Sequence, residues 1–184
     1  AEDPIQVPPA SPVASDSVEY TEVWIDQFDS CGDLKNSPHW SFEEVQRSGR
    51  LQWYTDTQAQ CTNGELVITA DRKTPMEVGV PEWTWRKTSH AANFEYVSSS
   101  LTSKGKRTFI MGGCGKVELR AKIDIRSGAF PAWWAMGDFN TPEDVECTWP
   151  GCGEIDMMEY AGKHGWLKTN FCIGKGGDAS GSMG

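Results

Sequence analysis

The 184-residue sequence has no apolar run that approaches the roughly 18 to 20 residues needed to cross a bilayer. It also does not open on a charged segment followed by an apolar one, which is the arrangement of a signal peptide. Basic residues are few, since 17 Lys and Arg stand against 26 Asp and Glu and give a formal net charge of -9. A surface of this sign repels phosphate backbones and anionic membranes. We therefore expect neither a nucleic-acid partner nor a membrane partner.

The pattern of a zinc site is absent as well, because the six cysteines include no CxxC pair and only three histidines accompany them. The cysteines are Cys31, Cys61, Cys114, Cys147, Cys152 and Cys172. An even set of this kind favours disulfides formed in an oxidising compartment. The connectivity stays open, and we favour Cys147 with Cys152, which would close a short loop. The alternative is a set of buried free thiols in a cytosolic protein.

Several catalytic motifs are missing. The sequence contains no GxxxxGK[ST], HExxH or GxSxG pattern, so a phosphate loop, a zinc protease and an esterase have no support. Gly174, Gly176 and Ala179 fit a GxGxxA dinucleotide loop, but no helix can follow before Gly184. His164 lies in a polar, Gly-rich turn, where we expect a solvated histidine rather than a metal ligand.

A long segment with a 3.6-residue period is also absent, and short apolar or alternating runs separated by turn residues take its place. This pattern predicts an all-β protein, either a β-sandwich or a jelly roll. We expect a flexible N-terminal segment over 1–19, rich in Pro, Ser, Ala and acidic residues, followed by one domain over 20–184. The predicted strands are Val23–Phe28, Leu51–Thr55, Glu65–Ala70, Glu95–Leu101, Gly115–Ile123, Ala132–Gly137, Glu154–Tyr160 and Leu167–Ile173.

Two of these segments carry a more specific prediction. Residues 116–123 alternate charged and apolar groups, which would place Val117, Leu119, Ala121 and Ile123 on one packed face. Residues 174–184 hold many glycines and nothing that we expect to pack, so the ordered part should end a short strand beyond the acidic segment.

Three carboxylates alternate with large apolar residues in the predicted strand from Glu154 onward, although acids are depleted in strand interiors. Glu154 and Asp156 share a face because the side-chain period of a strand is two. Glu159 would fall on the opposite face, since it lies five positions after Glu154. One extra residue in the strand, a β-bulge at Met157 or Met158, would return Glu159 to the face of the other two acids.

Carboxyl groups roughly 5 to 5.5 Å apart are the geometry of a retaining glycosidase, in which one attacks the anomeric carbon and the other transfers a proton. Clustered carboxyls also cannot all ionise without cost, so at least one should have a raised pKa, as a general acid requires. The alternative is that the strand carries a solvated acidic face or a calcium site.

The residues around this strand resemble glycoside hydrolase family 16. Trp149-Pro150 and Gly153 to Tyr160 are similar to its WP..GEIDxxEY signature, in the bulged form typical of β-1,3-glucanases, agarases and their relatives. Five further segments resemble family strands in the family's order, from about residue 22 to 173. They are Leu51 to Thr55, Asn63 to Ala70, Ser99 to Lys106, Gly115 to Ile123 and Gly128 to Gly137.

The resemblance implies a role for each acid. Glu154 would be the nucleophile, Asp156 its electrostatic helper and Glu159 the general acid and base. The implied fold is a concanavalin A-like β-sandwich jelly roll. Because the family usually has half a dozen or so further strands after this point, we expect an incomplete domain, with an open sheet edge beside the acidic strand that a second polypeptide could complete.

Aromatic residues supply the implied sugar-binding wall. Trp134 and Trp149 match tryptophans that line the family's cleft, and Phe130 stands where the family usually has Trp. A flat ring suits the apolar C-H face of a pyranose. Trp133 should point away from the cleft because it neighbours Trp134 in a strand.

The function implied is that of a secreted, retaining endo-β-glycanase acting on β-1,3-glucan. Red algal galactans and mixed-linkage glucans are the alternative substrates, because the strand 167–172 lacks the histidines that many β-1,3-glucanases carry there. A different class, a carbohydrate-binding jelly roll without turnover, also fits if the cleft is incomplete. No cofactor or catalytic metal is expected. A structural calcium ion is common in the family, but the sequence offers no strong ligand set.

Overall fold

The structure is a computed structural model. It describes residues 19–29, 32–43, 51–79, 94–109, 115–137, 149–174 and 182–183. Within these ranges the regular structure is β-strand with three short 3₁₀ turns, and no α-helix occurs. None of the described segments forms a helix that is long and apolar enough to cross a membrane. The all-β prediction is therefore confirmed over the described part of the chain.

The described residues form ten short strands, β1 to β10 in chain order. They are β1 (Ser41–Phe42), β2 (Gln52–Tyr54), β3 (Ala59–Thr62), β4 (Glu65–Ile68), β5 (Tyr96–Ser98), β6 (Leu101–Thr102), β7 (Ala132–Met136), β8 (Glu154–Ala161), β9 (Trp166–Cys172) and β10 (Ser182–Met183). The 3₁₀ turns cover Leu34–Asn36, Asp56–Gln58 and Pro75–Val78.

Among the described strands, the largest sheet has four in the order β10-β9-β8-β7, and its three strand pairs are antiparallel. Three two-stranded sheets accompany it: β1 with β6 and β3 with β4 are antiparallel, whereas β2 with β5 is parallel. The acidic strand β8 lies between β7 and β9. The prediction of an open sheet edge beside this strand is therefore wrong for β8 itself, because β8 is hydrogen-bonded to a neighbouring strand on each side.

The β3–β4 hairpin shows how local sequence sets a turn. Asn63 and Gly64 connect the strands with φ angles of 52° and 74°. Two consecutive positive φ angles belong to the tight turn that follows the twist of a hairpin, and an Asn-Gly pair adopts it at low cost. The turn fixes the register of Ala59 opposite Ile68.

A small aromatic core lies beside the parallel pair β2 and β5. Trp53 and Phe94 are each 5% exposed and pack edge to face, with ring centroids 5.3 Å apart. Val97 of β5 is fully buried in the same cluster, and Val78 packs against it. Burial of side chains of this size contributes about 1.5 to 3 kcal/mol each to folding.

Two predicted strands are wrong. Val23–Phe28 and Gly115–Ile123 are described but form no ladder with other described residues. The alternation at 116–123 also buries no face, since Val117 and Leu119 are 49% and 47% exposed. Alternation marks a chain that can lie in a sheet, whereas a strand also requires hydrogen bonds to a partner.

The remaining strands start and end close to their predicted bounds, with additions. Sequence reasoning missed the short strands β1 and β3. It also treated 174–184 as unable to pack, yet Ser182–Met183 pairs with Cys172 and Phe171 as β10. A backbone pair of this kind needs no apolar side chain, because main-chain N–H and C=O groups form it.

Candidate active site

One face of β8 gathers the three predicted acids. Facing β7, Trp134 lies opposite Asp156 and Trp133 lies opposite Met158, so Met157 is the extra residue of a β-bulge. Facing β9, three steps from Asp156 to Glu159 span only two steps of the neighbouring strand. The predicted bulge is thus present, and it places Glu159 on the side of the sheet that Asp156 occupies.

Directly opposed residues of antiparallel strands point to the same side of a sheet. The side that carries the acids, called the acid face below, is therefore a grid of three residues from each of three strands. Its members are Glu154, Asp156 and Glu159 of β8, Met136, Trp134 and Ala132 of β7, and Cys172, Asn170 and Lys168 of β9.

Glu154 is held by an indole from the turn that precedes β8. The Trp149 Nε1–H donates to Glu154 Oε2 at 2.5 Å. Pro150 anchors this turn because it is almost completely buried. Gly137 closes the other side, where its N–H donates to the Gly153 carbonyl at 3.1 Å and a Cβ would lie 2.2 Å from the Cys152 oxygen. Only glycine fits that contact, so the turn is pressed against the end of β7 and presents Trp149 to Glu154.

Asp156 lies at the centre of the acid face and is 5% exposed. Asn170, which is 7% exposed, donates from Nδ2 to Asp156 Oδ2 at 3.3 Å. A buried carboxyl needs such a donor, because burial without one costs several kcal/mol. Among the residues that the structure describes, the buried Asn170 Oδ1 has no hydrogen-bond partner. The amide therefore stabilises Asp156 through its Nδ2, and its oxygen accepts no hydrogen bond from the described part of the chain.

Glu159 faces a cation. Lys168 lies opposite it on β9, and the Lys168 Nζ is 2.9 Å from Glu159 Oε2. The side chains are 37% and 15% exposed, respectively, so the pair lies at the rim of the face rather than beneath it. The hydrogen bond to Glu159 raises the pKa of Lys168, and the ammonium therefore stays charged across the neutral range.

A buried thiol completes the β9 side of the grid. Cys172 is 7% exposed, lies opposite Glu154, and is near Asn170, whose Nδ2 is 3.4 Å from Sγ. Burial raises the pKa of the Cys172 thiol, and the charges of the three acids raise it further. The thiol is therefore neutral near pH 7 and is not an activated nucleophile.

The other described cysteines differ from Cys172. Cys61 and Cys152 are disulfide-bonded, whereas Cys172 is free. Cys172 therefore departs from the expected disulfide set. The predicted pairing of Cys147 with Cys152 lies outside the described residues, since Cys147 is not among them.

The aromatic residues that were predicted to bind sugar lie on the acid face and in the segments next to it. Trp134 belongs to the acid face, and Trp133 points to the opposite side, as expected from their adjacency. Trp149 is 48% exposed beside Glu154. Phe130 precedes β7 by two residues and is 42% exposed. An exposed ring next to carboxylates can stack on a sugar while its neighbours bind the hydroxyls.

Sequence reasoning did not find Lys168 and Asn170 as members of the site. The signal was present, because both alternate with Cys172 on a strand that follows the acidic one. Their placement against the acids depended on the register across the turn 162–165, and a shift of one residue would have put Leu167 and Thr169 there instead.

A metal site is not formed by these acids. Among the residues that the structure describes, no group of three or more His, Cys, Asp and Glu side chains is arranged to hold a metal ion. This disfavours the interpretation of the acidic strand as a calcium site. Calcium elsewhere in the chain stays an untested expectation.

Replacing Trp149 by Phe tests the indole contact to Glu154. The ring for sugar stacking is retained, whereas a hydrogen bond to a charged group, usually worth about 1.5 to 3 kcal/mol, is lost. Because Trp149 is half exposed, we expect the lower end, a fall of about 10-fold in the kcat of the glycan hydrolysis that the sequence predicts, with little change in KM. Initial rates over a range of glycan concentrations measure both.

The matched control is Trp40→Phe. Trp40 Nε1 also donates to a carboxylate, Asp26 Oδ2, at 2.8 Å, but away from the acid face. This variant should keep its kcat. If both variants lose activity equally, or if Trp149→Phe loses none, the contact has no part in catalysis.

No family model matches the chain. The chain is 32% identical over 156 residues to the beta-glucanase of Rhodothermus marinus, with 80% of this chain and 46% of that protein covered. It is 29% identical over 146 residues to the keratan-sulfate endo-1,4-beta-galactosidase of Sphingobacterium multivorum, with 78% of this chain and 30% of that protein covered.

Among solved structures, the laminarinase from Rhodothermus marinus has a similar fold. The TM-score is 0.54 at 22% identity, with 82% of this chain and 54% of the laminarinase chain covered. This likeness confirms the predicted jelly-roll fold. The chain spans about half or less of the length of these proteins.

Proposed function

We propose that this chain is the catalytic part of a secreted glycoside hydrolase of family 16, a retaining endo-β-glycanase that acts on β-1,3-glucan. The observation that carries the proposal is the acid face, where a bulge at Met157 brings Glu154, Asp156 and Glu159 to one side of β8. The sequence similarity to a beta-glucanase supports the class of substrate.

The acids act in two steps in this proposal. The Glu154 carboxylate attacks the anomeric carbon while Glu159 donates its proton to the departing glycosidic oxygen, so that a glycosyl ester forms on Glu154. Glu159 then takes a proton from water, whose oxygen attacks the same carbon and releases Glu154 as a carboxylate. Net retention follows from the two inversions.

The surroundings of each acid suit these roles. Trp149 donates to one oxygen of Glu154 and fixes the plane of the attacking carboxylate. Asp156 is buried between the two glutamates, where its carboxyl oxygens lie close to the position of the positive charge that develops on the sugar ring. Glu159 is at the rim, 15% exposed, where water can reach it for the second step.

A galactan is the second candidate substrate. The relative from Sphingobacterium multivorum is named a keratan-sulfate endo-1,4-beta-galactosidase. On this chain, Lys168 adds a cation to the acid face, which an anionic substituent of a sugar could approach. For this reason, agar and porphyran should be assayed as substrates together with the glucans.

Release of reducing ends from laminarin, lichenan, agarose and porphyran tests the proposal. We expect new reducing ends and a ladder of oligosaccharides from laminarin, with retention at the new anomeric centre by proton NMR. Binding to any of these glycans without new reducing ends would show a carbohydrate-binding jelly roll and contradict the hydrolase.

The side of the large sheet opposite the acid face is apolar. Ile155, Leu167 and Phe171 are 40%, 55% and 57% exposed there. We propose that further strands cover this side. The relatives are longer than the part that this chain matches and could contain such strands. A second polypeptide is one source of such strands.

A further inference from the structure

We propose that Lys168 is a positioning residue that controls the proton on Glu159 and thereby sets the alkaline limit of the glycanase. The inference rests on the proposed function for the role of Glu159. Its structural basis is the direct pairing of the two residues across β8 and β9 and the 2.9 Å contact between Nζ and Oε2.

The charges around Glu159 make this pair decisive. On its own strand, Glu154 and Asp156 share its face and disfavour a third negative charge. On β9, Lys168 is the charged residue of that face, and Cys172 is a neutral thiol because burial raises its pKa. Strand β7, with the sequence AWWAM, brings no titratable group.

Other charged groups lie at the end of the strand rather than on the face. Lys163 and His164 belong to the turn between β8 and β9. Asp124 and Arg126 form an ion pair with each other in the loop before β7. The Arg126 carbonyl oxygen lies close to Gly162, since a Cβ added to that glycine would be 2.2 Å from it. Among the described residues, Lys168 is therefore the cation in direct contact with Glu159.

An ammonium at hydrogen-bond distance favours the ionised form of a carboxyl group. Glycosylation requires the protonated form of Glu159, because it must give a proton to the leaving oxygen. Deglycosylation requires the ionised form, which takes a proton from water. Lys168 thus restrains the first step at high pH and supports the second, so its removal should move the alkaline limb to higher pH.

The expected size of the shift in the alkaline limb depends on how far the Lys168–Glu159 pair is exposed to water. A carboxyl beside a cation usually titrates about 1 to 3 pH units lower than without it. Because the Lys168 side chain is 37% exposed and water screens the pair, we expect the low end, a shift of about one unit. The alkaline limb of kcat/KM should move up by this amount in Lys168→Met.

The experiment compares pH profiles of kcat/KM for laminarin hydrolysis by the unmodified chain and three variants. Lys168→Met should shift the alkaline limb upward, and Lys168→Arg, which keeps the charge, should restore it to its original position. Lys163→Met is the matched control, since it removes an exposed lysine from the adjoining turn and should leave the limb unchanged. Salt at about 1 M should move the unmodified protein toward the Lys168→Met profile.

A second measurement does not depend on turnover. In protein labelled with ¹³C at the glutamate carboxyl carbons, the Glu159 signal is assigned by its loss in Glu159→Gln, and its titration midpoint is followed by NMR. The midpoint should rise by about one pH unit in Lys168→Met. Near-UV circular dichroism identifies any variant that does not fold, and the salt series on the unmodified protein then takes its place.

The outcomes separate the two proposals. Absence of turnover together with the NMR shift would overturn the glycanase and leave the pairing of Lys168 with Glu159 intact. Turnover with the same alkaline limb in Lys168→Met and in the unmodified protein, or an unchanged NMR midpoint, would overturn the role of Lys168.

Discussion

In the proposed glycanase, Glu154→Gln should lower the kcat for hydrolysis of laminarin by at least about 10⁴-fold, because a neutral amide cannot form the glycosyl ester that retention requires. Glutamine keeps the size of the side chain and can still accept the indole hydrogen bond from Trp149, so the fold and glycan binding should change little. Reducing-end release measures turnover, and isothermal titration with a laminarin oligosaccharide measures binding.

The stereochemistry of rescue identifies the role of Glu154 more sharply than the loss of rate. In Glu154→Ala, added azide should enter the vacated space, attack the anomeric carbon of an activated aryl β-glycoside and yield an α-glycosyl azide. Glu65→Gln is the control, since Glu65 is an exposed acid on β4 in another sheet, and it should keep full activity. A near-native rate in Glu154→Gln, or a β-glycosyl azide from Glu154→Ala, would show that Glu154 is not the nucleophile.

Glu159→Ala should lower turnover of the polysaccharide by about 10² to 10⁴-fold, the usual contribution of a general acid and base. The size of the effect should depend on the leaving group. A sugar oxygen needs the proton of Glu159 to depart, whereas a dinitrophenolate does not, so a dinitrophenyl β-glycoside should still glycosylate Glu154 at close to the original rate.

The second step then becomes limiting, because no base activates water. Azide needs no base, so it should accelerate the reaction of Glu159→Ala and give a β-glycosyl azide. A burst of dinitrophenolate followed by slow turnover would be seen by stopped-flow absorbance. An equal loss with both leaving groups would contradict the assignment of Glu159 as general acid.

The sequence predicted the acidic strand β8 in some detail because the argument was local. A side-chain period of two, applied to Glu154, Asp156 and Glu159, required an extra residue, and the register contains it at Met157. The same parity turned Trp133 away from Trp134, which the family resemblance had placed in the cleft. Such arguments need no knowledge of what lies beyond the strand.

Partners across the sheet could not be predicted in this way. Lys168 and Asn170 reach Glu159 and Asp156 only through the register of β9, which the length and shape of the connecting turn decide. The failed strand at Gly115–Ile123 has the same origin, since alternation is a property of one segment and pairing is a property of two. Ser182–Met183 pairs with β9 through its backbone, and amino-acid composition does not predict a pairing of this kind.

The bulge at Met157 reverses the side of the sheet to which each later residue of β8 points, so it affects residues other than Glu159. Tyr160 is turned to the side opposite the acids, where its hydroxyl donates to the Ile125 carbonyl at 3.2 Å. One additional residue therefore determines both which acids share one face of β8 and where the loop before β7 is held. A change in the spacing of the motif would alter the chemistry and the anchoring of that loop together.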